Sequence, residues 1–156
     1  MHFFNDKKIN YLIFDNILTL FPKFADAFCG VKGEFSKERF VVGEFGDYDL
    51  NITAISYSKE KECYLVSLFT EIEINNKLIK YPELLLGFDL ANKRAEVLKY
   101  RSESYPFTTL SVYNAHNGRV YENIIAHKDL SLFCCRWLKK YIEQEHSLVW
   151  KNIKTA

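Results

Sequence analysis

Between residues 34 and 125 apolar and polar side chains alternate with a period of two, and on either side of that stretch the period becomes 3.6. Few folds accommodate this pattern. A chain with one helical stripe, a long run of half-buried strands and a second helical stripe must shield one sheet face with its helices. Phe40 to Phe45 reads as a strand, with Gly43-Glu44-Phe45-Gly46 as a turn rather than a phosphate cradle, because no helix follows to aim its amides. Tyr48, Leu50, Ile52 and Ala54 alternate with Asp49, Asn51 and Thr53. Tyr64, Val66, Leu68, Thr70, Ile72 and Ile74 continue the pattern, and Asn75-Asn76-Lys77 makes a tight turn. Leu84 to Leu90 is apolar on both faces, as a central strand is. Ala91-Asn92-Lys93 then turns into Arg94 to Arg101, and Tyr105-Pro106 opens a further strand through Tyr113. Asn117-Gly118 is the strongest hairpin signal, since both residues accept positive φ, and Arg119 to Ile125 is its return strand.

Ile9, Ile13, Ile17 and Phe21 recur at i+4 and predict a helix over 6–21, ended by Pro22. Leu130, Phe133, Cys134, Trp137, Leu138 and Tyr141 predict another over 128–145, with Trp137 in the core. Asp129 near its start and Lys139 and Lys140 near its end suit the helix dipole. The expected fold is therefore α+β: an antiparallel curved sheet of six or seven strands between an N-terminal and a C-terminal helix. At 156 residues it is read as one domain over 1–146 with a tail at 147–156.

Three places carry a family likeness. Phe14-x-x-Ile17-x-x-Leu20-Phe21-Pro22, Ala95-Glu96-Val97 with the later Tyr105-Pro106, and Phe133-x-x-x-Trp137-Leu138 agree in order and spacing with the YqiB-like family of small uncharacterised bacterial proteins, which the chain resembles. It departs from that pattern at Phe107, where the family has Asn, and at Ile125-Ala126-His127, where the family has Asp-Glu-Lys. The resemblance implies an α+β fold and a bacterial source, and it implies no activity.

Lys and Arg total 21 against 20 Asp and Glu, so no net field favours nucleic acid or anionic lipid, and neither is expected as a partner. No stretch reaches the length of a membrane span, and Asn10, Asp15 and Asn16 interrupt the first apolar run where a signal peptide would be uniformly apolar. Cys29, Cys63, Cys134 and Cys135 form no C-x-x-C and have no zinc-like spacing with His2, His116, His127 and His146. Free thiols in the cytoplasm, without metal or cofactor, are the expectation. Asn51-Ile52-Thr53 fits a glycosylation acceptor but falls on a strand.

Nucleotide-binding, zinc-protease and nucleophile-elbow motifs are absent. His116 is expected exposed at a hairpin tip, and His127 capping the last helix or at the surface. One constellation remains. Asp89 and Glu96 face each other across a short turn with Arg94 and Arg101 nearby, and Tyr100, Tyr105, Phe107 and Tyr113 lie on neighbouring strands. The candidate ligand-binding residues are thus Asp89, Arg94, Glu96, Tyr100, Arg101 and Tyr113, with no catalytic residue assigned. Aromatic richness (Phe 13, Tyr 10) and the missing motifs point to a non-enzymatic binding module. Its contact would be an open sheet face or edge strand, meeting a protein partner, a small ligand or a second copy in a homodimer. The alternatives are a small-molecule hydrolase using Asp89 and Glu96, and an effector or inhibitor acting on another protein. A deep pocket uniting those acids with a histidine would favour chemistry.

Overall fold

The computed structural model describes residues 7–28, 30–43, 48–103, 108–143 and 149–154. Helix α1 (Lys7–Leu20) is followed by a 3-10 turn (Phe24–Phe28). Strands β1 (Glu38–Gly43), β2 (Leu50–Ser58), β3 (Cys63–Ile74), β4 (Lys77–Asp89), β5 (Arg94–Ser102) and β6 (Thr108–Ser111) form a meander. A ribbon of β7 (Tyr113–His116) and β8 (Arg119–Glu122) leads into α2 (Ile124–Glu143), and β9 (Val149–Lys154) closes the order. The main sheet has seven strands in the order β6-β5-β4-β3-β2-β1-β9, every described pairing being antiparallel. The α+β reading holds. The expected tail contains β9, which pairs with β1 from Glu38↔Lys154 to Gly43↔Val149.

Three bulges bend the sheet, between Ala54 and Ser56, between Phe69 and Glu71, and opposite Leu85 and Leu86. Both helices lie over one face. Asn10, Ile13, Phe14, Ile17 and Leu20 form the buried stripe of α1. Ala126, His127, Leu130, Ser131, Cys134, Leu138 and Tyr141 form that of α2. Beneath them Phe88, fully buried, meets the rings of Phe14 at 5.0 Å and of Phe24 and Phe28 at 5.4 Å each. Trp137 is only partly buried, against the edge of this core.

The other face is buried in part, across its middle strands. Val41, Asn51, Phe69 and Glu83 stand opposite one another across four strands and all are buried. Glu83 is held by Ser67 Oγ at 2.5 Å, Arg101 Nε at 2.9 Å and Lys80 Nζ at 3.2 Å. Burial raises the Glu83 carboxyl pKa, but the bonds from Ser67, Arg101 and Lys80 outweigh it and the net shift is downward.

The Asn117-Gly118 hairpin forms as expected, with both residues at positive φ, but as a separate ribbon. Its return strand ends at Glu122, and α2 begins at Ile124 rather than near 128. The cap is Asn123, whose Oδ1 accepts from the Ala126 amide at 3.0 Å, so the expectation of capping by His127 is corrected. Asn123→Ala should cost about 1 kcal/mol in urea unfolding, while Asn123→Asp should cost less than half as much. Cys63, Cys134 and Cys135 are free thiols. The expectations placed on Cys29, on His2 and His146, on the turn at 44–47, and on Tyr105 and Phe107 lie outside the described residues. No described helix is long and apolar enough to cross a membrane.

Candidate functional site

Gly87 of β4 is paired with Glu96 of β5 and with Leu65 of β3, so the three share the sheet face turned away from the Phe88 core. Gly87 has no side chain to project there. A Cβ at that position would stand 3.5 Å from Leu98 and 3.6 Å from the Cys63 sulfur. The missing side chain leaves the floor of a cleft of about 700 Å³, lined by Asn10, Lys61, Cys63, Gly87, Asp89, Arg94, Glu96, Leu98, Tyr113, Val120 and Glu122. The volume falls in the range of small-molecule sites.

One wall belongs to the β7–β8 ribbon. Tyr113 and Glu122 are cross-strand partners, which places both on one side of it. The Tyr113 hydroxyl donates to Glu96 Oε1. His127, one turn into α2 and almost fully buried, has Nδ1 2.5 Å from Glu122 Oε1 and Nε2 3.3 Å from Glu96 Oε1. Each imidazole nitrogen thus faces a carboxylate, Nδ1 in a hydrogen bond with Glu122 and Nε2 at the longer distance from Glu96. The chain Glu122–His127–Glu96–Tyr113 ties α2, the ribbon and β5 together. Glu122 is nearly buried, whereas Glu96 is about one-third exposed to the cleft. Both contacts to Glu96 fall on Oε1, and Oε2 has no partner among the described residues. Burial, then the bond to Glu96, then the charges of Glu96 and Glu122 raise the Tyr113 phenol pKa, so the phenol keeps its proton.

The opposite wall is the β4–β5 turn. Asp89 Oδ1 accepts from the Asn92 amide at 3.1 Å and Oδ2 from the Asn92 side chain at 2.8 Å, and Arg94 stands 3.7 Å from Oδ2. Asp89 is therefore an Asx-turn residue whose two oxygens are already engaged. Lys61 lies at the rim, its ammonium 5.8 Å from the Tyr113 ring centre. Burial raises the Cys63 thiol pKa, Lys61 opposes this, and Asp89 and Glu96 add to it, so the thiol remains protonated and weakly nucleophilic. Among the described residues no group of three or more His, Cys, Asp or Glu is set to hold a metal ion. Glu96 and Glu122 address opposite nitrogens of His127 and do not converge on one point.

Of the sequence candidates, Asp89, Arg94, Glu96 and Tyr113 come together in this cleft. Tyr100 and Arg101 do not. Tyr100 packs edge-on against Phe133 of α2 at 6.4 Å. Arg101 binds the buried Glu83. His116 is exposed at the ribbon tip, as expected. Reading by sequence missed Asn10, Lys61, Cys63, Glu122 and the buried His127. Two of these had a signal: Asn10 and His127 occupy positions in the apolar stripes of α1 and α2, where a polar residue is buried by its register. Comparison with known proteins adds no relative: no family model matches the chain, and neither a curated protein nor a solved structure does.

Proposed function

We propose that this is a non-enzymatic binding protein whose ligand is a small polar molecule held in the cleft between the β7–β8 ribbon and the β4–β5 turn. The observation that carries the reading is Glu96: Tyr113 donates to one of its carboxylate oxygens, His127 stands 3.3 Å from the same oxygen, and the side chain lines the cleft one-third exposed. An acceptor held this rigidly is pre-organised, so a ligand meets little ordering cost on binding. The engaged Asp89 and the protonated Cys63 argue against a two-carboxylate or thiol mechanism. Kinship with the YqiB-like family and a cytoplasmic setting belong to the same proposal and add no activity to it.

A second reading is supported by the arrangement named above as favouring chemistry: the cleft unites Asp89 and Glu96, and His127 stands 3.3 Å from Glu96. The chain from Glu122 through His127 to Glu96 resembles the support a general acid or base receives. One experiment separates the two. A library of small polar compounds is screened by protein-observed NMR. Hits should shift the amides of Gly87, Glu96, Tyr113 and Glu122, and Glu96→Gln should weaken them at least about tenfold, a loss of about 1.4 kcal/mol. A hit consumed by the unaltered protein and left intact by Glu96→Gln would assign chemistry to the site instead.

A further inference from the structure

Resting on that binding reading, we infer that the ligand carries an ammonium or guanidinium group, which sits on Glu96 and hydrogen-bonds to Asn10. Two independent observations converge on this class. The first is charge. Glu96 and Glu122 flank a single imidazole, so with both acids ionised the ribbon wall keeps a net negative charge in either state of the ring. On the other wall Asp89 and Arg94 offset each other. Lys61 is exposed at the rim rather than at the floor. The cleft therefore offers a part-exposed carboxylate oxygen with no cation of the protein on it among the described residues, and a carboxylate is matched best by a charged donor.

The second observation is Asn10. The residue is 5% exposed, lines the cleft, and has no side-chain hydrogen bond to the described residues. Its amide is not shut off from solvent, so what little surface it keeps is open to a group in the cleft. The position lies on the apolar stripe of α1, beside Ile13, Phe14 and Ile17, where a leucine would pack. Its carbonyl is a second acceptor for a cationic head with several N–H groups, and its NH₂ can donate to a polar atom farther along the ligand. An ammonium offers three donors and a guanidinium five, enough for Glu96 Oε2 and Asn10 Oδ1 together. An anionic head would meet Glu96 and Glu122 instead and be repelled.

The test is an NMR titration of the full chain at low salt with four compounds built on a four-carbon chain: 1,4-diaminobutane, butylguanidinium, butyrate and 1-butanol. The two cations should give saturable shifts of the Gly87, Glu96 and Glu122 amides, weakening as salt is added. Glu96→Gln should reduce their affinity about tenfold or more. Asn10→Leu should do the same while melting no lower than the unaltered protein, which separates loss of the ligand contact from loss of the fold. Butyrate or butanol binding the cleft as well as the cations would overturn the cationic class and leave the binding reading standing. Absence of any cleft shift with these four compounds and with the wider polar library would overturn the binding reading itself.

Discussion

Phe88→Ala should lower the unfolding free energy by about 3–5 kcal/mol and the melting temperature by about 10 °C. Phe88 is fully buried on the helix-covered face, and its ring is the common neighbour of Phe14 from α1 and of Phe24 and Phe28 from the 3-10 turn. Truncation removes the ring contacts joining β4 to the N-terminal segment and leaves a cavity walled by three rings, which cannot all collapse inward at once. Phe88→Leu fills most of that volume and should cost well under half as much. Urea denaturation with an unchanged m-value is the measurement. A loss below about 1 kcal/mol for the alanine variant would mean that α1 does not depend on this ring cluster.

The second large effect is on the other face and depends on pH. Glu83→Gln should cost about 1–3 kcal/mol at pH 7, because four hydrogen bonds from three residues converge on a side chain that is 1% exposed. The figure stays below that for a fully buried pair because Arg101 is 45% exposed and Lys80 35%, so both cations rehydrate once the acid is gone. The folded-state pKa of Glu83 is lowered below its ordinary 4.5. Its contribution is therefore fully present above that value and is lost as pH falls through the folded one. The stability curves of the unaltered and Glu83→Gln proteins should be separated at pH 7 and converge in acid. Parallel curves from pH 7 down to pH 3 would remove Glu83 from the acid-sensitive set.

Alternation in β2 and β3 was legible because each of these strands has one face toward the helices. The first half of β4 was not. Lys77-Leu78-Ile79-Lys80-Tyr81-Pro82 alternates poorly and carries a proline, yet it pairs with β3 through Ile74↔Lys77 and Glu71↔Lys80. The start of α2 was misplaced for a related reason. Ile124 and Ile125 read as the end of a strand by their β-branching, whereas Asn123 closes the ribbon and caps the helix.

In the site, Asp89, Arg94 and Glu96 are joined by a four-residue turn and could be placed together from local spacing alone. Tyr113 and His127 reach Glu96, and Glu122 reaches His127, only because the ribbon and α2 dock beside β5, and no local rule encodes that docking. Arg101 and Tyr100 show the converse. They share a strand with Glu96, but Arg101 is drawn to the buried acid directly across from it and Tyr100 faces the helices.

The last strand has a consequence for synthesis. β9 covers the outer edge of β1, and about 110 residues of chain separate the two. As the polypeptide leaves the ribosome, the hairpins from β1 to β6 can zip together in order, each next to the one before it. Throughout that interval the backbone amides and carbonyls along Glu38–Gly43 face water without their eventual mate. The finished protein has only short strands at its sheet margins, six residues in β9 and four in β6. The nascent one presents an unsealed seam, and it is there, until β9 has emerged, that a neighbouring chain could graft itself on.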